Sequence, residues 1–304
     1  MSIFLDFDGT ITAEDTVGEL AKFALRFQRG DGGSGGSTND EASVDLGPQW
    51  DAVVRAYVDD HRAQTAGYEP GPHDRRAPDQ EIAFLRALKT IETRSLTRVR
   101  DCALFRGIPA GAFRDAGAAL VRAGAVALRP GFADFVDRRV AGGWRVYVVS
   151  VNWSAAFIEG ACGAREGLAV LANEVREEDG AVLGPGILNP EGDGDADADA
   201  DAERRNLTNS RDKLEVVRAV LRERGAAGEP SFYAGDSTTD LECLLAVTRG
   251  VVIADAEGSP LLQTLRRIGK DVPRVRDAGS LGDGGLAWAP DFEEIEANVK
   301  FELD

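Results

Sequence analysis

Two aspartates, Asp6 and Asp8, follow the apolar run Ile3-Phe4-Leu5 and stand directly before Gly9. In a strand the pair would share a face. A strand that ends at a glycine tends to turn, and in that turn both carboxylates can converge on one point. Taken alone, an Asp-x-Asp-Gly turn is also an ordinary end to a strand. Three further groups raise the chemical content. Ser150 closes the β-branched run 145–150, with Asn152 two residues on, and both types can bond a phosphate oxygen. Lys213 stands early in an amphipathic stretch, and Asp236 and Asp240 follow the run Ser231-Phe232-Tyr233-Ala234. Oxygen donors of this kind suit a hard cation such as Mg2+. A lysine beside them would help neutralise a multiply charged transferring group. Each piece also has a plain reading as a helix cap or a solvated charge.

The elements that must position these groups can be read from the pattern. Residues 15–27 carry apolar side chains at helical spacing, with Asp15 or Thr16 as a cap. Further helices are expected over 48–64, over 79–105 with a break near Ser95, and over 109–122. Residues 29–43 form a Gly/Ser stretch, and residues 67–78 hold three prolines and two glycines, so both read as loops. From 129 on, helix and strand alternate, with strands at 145–150, 169–171, 231–234 and 250–254. That order implies a doubly wound parallel sheet, in which ligands bind beyond the carboxyl ends of the strands. Asp179-Gly180 marks a hairpin within 174–183. The alternating aspartates of 192–202 lack the glycine and glutamate of a calcium-binding loop and read as a solvated acidic loop. After 271 only a helix over 291–300 is expected.

The bulk properties narrow the function. The 304 residues hold 35 Lys and Arg against 52 Asp and Glu, a net charge of −17, which disfavours nucleic acid or an anionic membrane as a partner. No apolar run reaches the roughly 20 residues of a membrane span, and no signal peptide is evident, so a cytoplasmic location is expected. Three cysteines without a CxxC pairing argue against a disulfide framework or structural zinc. His61 and His73 fall in a Pro/Gly-rich region and read as exposed. Nothing in the sequence sets an oligomeric state.

Asp6-Phe7-Asp8-Gly9-Thr10, Ser150, Lys213 and Gly235-Asp236-Ser237-Thr238-Thr239-Asp240, in this order, resemble the four motifs of the haloacid dehalogenase superfamily. The resemblance covers about residues 1–14 and 129–255. It implies an α/β, Rossmannoid parallel-sheet core over 1–14 and 129–304. The all-helical insertion 15–128 would be a type 1 cap domain, a lid that admits small substrates and excludes water. Asp15-Thr16-Val17 and Ala172-Asn173-Glu174 look like the phosphoserine-phosphatase-like branch.

The resemblance further implies a Mg2+-dependent phosphatase acting on a small phosphorylated metabolite. Asp6 would be the nucleophile, forming an aspartyl-phosphate. Asp8 would serve as acid and then base; dehalogenase members carry another residue there. Asp6, the Asp8 carbonyl and Asp236 would hold the metal. Ser150, Asn152 and Lys213 would hold the phosphate, with backbone N–H groups near Phe7 and Asp8. Asp240 and Thr10 would support the site. Asp15 stands where the branch has an amine-reading glutamate and is one methylene shorter. Ser150-Val151-Asn152-Trp153 replaces its Ser-Gly-Gly run. Arg86, Arg94 and Arg98 are the candidates for a substrate-reading arginine. These departures argue against phosphoserine. A phosphomutase or phosphotransferase, or a noncatalytic regulatory protein on the same fold, are the alternatives.

Overall fold

In the computed structural model the sheet strands are β1 (Ser2–Leu5), β2 (Arg145–Ser150), β3 (Leu168–Ala172), β4 (Glu174–Val175), β5 (Val182–Leu183), β6 (Ser231–Gly235), β7 (Arg249–Ile253) and β8 (Gly285–Ala289). Six of them form one sheet in the order β3-β2-β1-β6-β7-β8, every pair parallel. The described residues are 1–30, 44–188, 205–279, 281–282 and 284–301; most of the Gly/Ser stretch and all of the 192–202 acidic run lie outside them.

β1 is central and wholly buried. Its alternation feeds two cores: Ile3 and Leu5 join one apolar cluster, and Phe4 joins the other. That is how a strand covered on both faces becomes a continuous apolar run. The helices are α1 (Val17–Gln28), α2 (Gly47–Gly67), α3 (Pro78–Ala87), α4 (Lys89–Asp101), α5 (Ala110–Arg122), α6 (Phe132–Ala141), α7 (Ala155–Cys162), α8 (Ser210–Glu223), α9 (Leu241–Ala246), α10 (Pro260–Arg267) and α11 (Phe292–Asn298). Helices α6, α7 and α11 pack on the Ile3/Leu5 side, and α8, α9 and α10 on the Phe4 side.

Between β1 and β2 the chain inserts α1 to α5. The two connections pair with each other: Ala13 N–H donates to Ala127 O at 2.9 Å, and Arg129 N–H to Ile11 O at 2.8 Å. Helix α5 packs hard on α7. A Cβ on Gly117 would meet the Phe157 carbonyl, and one on Gly160 the Arg114 carbonyl.

Three expectations change. The helix expected over 79–105 breaks at Leu88, not near Ser95, which lies buried within α4. No glycine or proline marks the break. Its cause is tertiary: Phe84 and Leu85 of α3 point into one core, and Leu96 and Val99 of α4 into the other. β8 is a strand that the sequence reading leaves out, since its Gly-Leu-Ala-Trp-Ala is poor in β-branched residues. His61 lies within the helix expected there, α2, but is half-buried rather than exposed, with its ring 6.0 Å from that of Tyr57.

Candidate active site

The pairing of β1 with β6 runs one residue past the strand, because Asp6 N–H donates to Ala234 O at 2.9 Å. The Asp6 side chain is therefore fixed at the sheet's carboxyl edge. The chain then turns tightly. The Phe7 carbonyl accepts from Thr10, Ile11 and Thr12, and Gly9 takes the left-handed φ of 72°. A Cβ there would collide with the Asp236 carboxylate, so the glycine is needed for space as well as for conformation. Arg129 braces the turn, donating to Gly9 O at 3.1 Å and pairing with Asp255 at 2.7 Å.

Lys213, from the first turn of α8, is fully buried, with Nζ 2.7 Å from both Asp6 Oδ1 and Asp240 Oδ1. Asn209 caps this helix by accepting from Asp212 N–H at 3.0 Å. Asp240 is held on every side. Its Oδ1 also accepts from the Tyr233 hydroxyl at 2.7 Å, and its Oδ2 from the N–H groups of Asp236 and Ser237, each at 3.1 Å. Asp236 is half-buried and accepts from the Thr10 hydroxyl at 3.1 Å. Carboxylate oxygens of Asp6, Asp236 and Asp240 all lie within 4.8 Å of one another.

Three acids around one ammonium leave a deficit of positive charge. Burial pushes Asp6 well above the usual carboxylate range and Asp240 adds to this, against the pull of Lys213. Burial and then Asp240 raise Asp236 to about 7. Burial alone would lower Lys213, but Asp240 and Asp6 outweigh it and hold the ammonium charged. Asp6 Oδ1 accepts from Lys213 and from Phe7 N–H at 2.7 Å, while its Oδ2 accepts nothing among the described residues.

Asp8 sits on the other side of the turn. Its Oδ1 accepts from Thr16 N–H at 2.8 Å and Thr16 Oγ1 at 2.6 Å, and its Oδ2 from Asn152 Nδ2 at 2.8 Å. Burial raises its carboxyl above the ordinary range, Asp15 adds to the rise, and these hydrogen bonds oppose it. Asn152, assigned from the sequence to the phosphate, thus has its amide on Asp8 and on Thr16 Oγ1, at 3.2 Å. Ser150 Oγ accepts from Asn152 N–H at 3.1 Å. The sequence suggests Thr16 only as a cap. It makes no side-chain cap bond, and Asp15 Oδ1 instead accepts from Val17 N–H at 2.9 Å. Phe7 N–H, expected toward the phosphate, is engaged by Asp6.

The residues after Ser150 are held by two further groups that sequence reasoning assigned no role. Asn173 Nδ2 donates to the carbonyls of Val151 and Asn152, each at 3.1 Å, and of Leu207 at 2.8 Å. Glu174 accepts from Ser154 Oγ at 3.1 Å and Ala156 N–H at 3.0 Å. Buried polar types just past a strand were the available signal.

A cavity of about 300 Å³ adjoins this loop, walled by Val151 and Trp153 on one side and by α2 and α4 on the other. Asp15 reaches it; Arg86, Arg94 and Arg98 do not. Arg86 forks onto Glu242, with Nε–Oε1 3.1 Å and Nη2–Oε2 2.5 Å. Arg94 and Arg98 share a face, as expected, and both pair with Asp60, at 3.1 and 2.8 Å.

A family profile described as haloacid dehalogenase-like hydrolase matches residues 49–245. Among solved structures, a HAD family hydrolase from Salmonella enterica serovar Typhi is 15% identical, with a TM-score of 0.52 over 99% of this chain and 71% of that one. A phospho-aspartyl intermediate analogue of phosphoserine phosphatase is 14% identical, with a TM-score of 0.49 over 98% of each chain. A substrate-bound phosphoserine phosphatase is 12% identical, with a TM-score of 0.47 over 98% of this chain and 97% of that one. At such identities the likeness is one of fold. No curated protein matches the chain.

Proposed function

The chain belongs to the haloacid dehalogenase-like hydrolases, and from that premise we propose that it is a Mg2+-dependent phosphatase of a small phosphomonoester, working through an aspartyl-phosphate on Asp6. The observation that carries this reading is the buried Lys213 between Asp6 and Asp240, with Asp236 beside them and Asp8 across the turn.

The donor set fits a hard cation. All its atoms are oxygens, Asp6 and Asp236 are raised by burial and then by the Asp240 charge, and one ammonium does not balance them. Asp6, Asp236 and the Asp8 carbonyl would hold the ion. When bound, it would neutralise charge on the transferring phosphoryl group.

The chain's own groups do the rest. Asp6 Oδ2 attacks phosphorus, and the bond from phosphorus to the substrate oxygen breaks. Lys213 keeps one N–H beyond its two carboxylate partners, and Ser150 keeps its hydroxyl proton; both would bind phosphoryl oxygens. Asp8, biased toward its protonated form by burial, delivers a proton to the leaving oxygen. As a carboxylate it then takes a proton from water, which attacks the acyl phosphate and releases inorganic phosphate. Thr16 and Asn152 hold Asp8 in place for both transfers. The helices over the site would act as a lid.

The test is phosphate release by the purified full chain with Mg2+ from p-nitrophenyl phosphate and a panel of phosphorylated metabolites. Release is expected, Asp6→Asn should abolish it, and EDTA should stop it until Mg2+ is restored. An inert wild-type protein would overturn the reading. Transfer to added alcohols in preference to water would make it a phosphotransferase.

A further inference from the structure

The wall of the cavity carries a distinct chemistry. Trp50 from α2 and Trp153 from the loop after β2 meet edge to face, with ring centroids 6.1 Å apart. Phe105 fixes Trp153 from behind at 5.9 Å. Tyr57, two helical turns on from Trp50, lines the same space and donates its hydroxyl to Glu92 Oε1 at 2.9 Å. Glu92 lines it too, as does Asp15. Val53, Val54 and Leu96 complete an apolar surround.

Two carboxylates and three aromatic rings thus face one cavity, and no Lys, Arg or His lines it among the described residues. The nearby cations are committed elsewhere. Lys89, one turn before Glu92, gives its ammonium to Asp212 and to the Asn206 carbonyl, each at 2.6 Å. The three candidate arginines are held by Glu242 and Asp60. A substrate carboxylate in this space would find only like charge. A cation would find two counter-charges and aromatic faces, which attract ammonium groups most strongly when water is excluded.

We infer that the alcohol portion of the substrate is an alkylammonium group: the protein hydrolyses the phosphomonoester of a cationic amino alcohol that lacks a carboxylate. This rests on the phosphatase reading above and adds which ester that site selects. The Val151 and Trp153 side of the cavity connects it to the chemistry, since Asn152 between them contacts Asp8. The phosphate would sit at Asp6 and the ammonium between Trp50, Trp153 and Glu92. Water enters the reaction and the amino alcohol and inorganic phosphate leave it.

Steady-state kinetics on the full chain with Mg2+ tests this with four esters. They are choline phosphate, its neutral analogue with carbon in place of the quaternary nitrogen, O-phosphoserine and p-nitrophenyl phosphate. Choline phosphate should exceed its neutral analogue in kcat/KM by about tenfold or more, the scale of a desolvated cation–π contact, and should exceed phosphoserine as well. Glu92→Gln and, separately, Trp50→Leu should shrink the charged-to-neutral ratio several-fold, mainly through KM. Equal rates for the charged and neutral pair, or phosphoserine as the best ester, would overturn the inference and leave the phosphatase reading standing, provided p-nitrophenyl phosphate is turned over. Release from none of the four would sink the phosphatase reading itself. A charged-to-neutral ratio unmoved in both variants would overturn the assignment of this cavity.

Discussion

Lys213 is the residue on which the charge balance of the site turns. It lies fully buried against Asp6 and Asp240, with Asp236 the third acid in reach. Removing one partner of a buried ion network leaves uncompensated charge, so Lys213→Met should lower stability by about 3 kcal/mol. The acids it leaves behind would bind a cation more readily, since one competitor for their oxygens is gone. The thermal midpoint should therefore rise more on Mg2+ addition in Lys213→Met than in the wild type, while phosphate release is lost. Equal midpoint shifts in melts with and without Mg2+ would contradict this balance. The acids and the lysine were legible in the sequence because each stands at a strand end or an early helical turn, where type and place together are informative. Thr16, Tyr233 and Asn173 were not, because a threonine, a tyrosine and an asparagine show their role only once a fold brings them to Asp8, Asp240 and the loop after β2. Asn152 shows the converse. Its type suits a phosphate, but the fold gives its amide to Asp8.

Among the elements, the crossing of α5 and α7 is the closest contact between the inserted helices and the sheet domain. Gly117 and Gly160 each face a backbone carbonyl of the opposite helix, so no side chain fits. Gly160→Ala should cost about 1–3 kcal/mol, as overpacking does, against the gain expected from alanine in an exposed helix; a neutral or stabilising result in urea unfolding would refute the close approach. The helical periodicity of 109–122 was readable, but which face needed glycine was not, since that depends on the partner helix. The hairpin was better marked. Asp179 accepts from Arg176 Nη2 at 2.6 Å and from Ala181 N–H at 3.0 Å, and the arginine, with that N–H helping, lowers it to about 2. A depressed carboxylate stabilises the fold above its unfolded value and loses that contribution as pH falls through its folded value. The pair is about a third exposed, so Asp179→Asn should cost only about 0.5 kcal/mol near neutrality. That difference should close as pH falls from about 4 toward 2, which urea midpoints at stepped pH would read.

At the scale of the whole molecule, the inserted helices are fastened to the sheet domain by charge on one side and by packing on the other. Glu81 of α3 accepts from Arg75 Nε at 2.8 Å and from Arg267 Nη2 of α10 at 2.9 Å, and it is itself buried. Arg86–Glu242 and Lys89–Asp212 extend the same seam. Phe84 and Leu85 bury their rings and methyls in the core beneath it. The parallel sheet and the position of the insertion were legible from the order of the elements, because a run of alternating strands and helices admits few arrangements. The seam was not, because each of its charges is ordinary on a helix surface until the partner is known. Among the described residues no helix is long and apolar enough to cross a membrane. With the connections paired, α5 locked on α7 and α3 bolted to α10, the insert should unfold with the sheet. Urea unfolding followed by tryptophan fluorescence and by far-UV circular dichroism should give coincident single transitions. Glu81→Ala removes the carboxylate from the buried Arg75 guanidinium and from the half-buried Arg267 and should lower the midpoint by an amount equivalent to about 3 kcal/mol, with the slope unchanged. Two separated transitions in the wild type would mean that the helical block and the sheet are independent. A shallower slope in Glu81→Ala alone would mean that this seam is what makes them one unit.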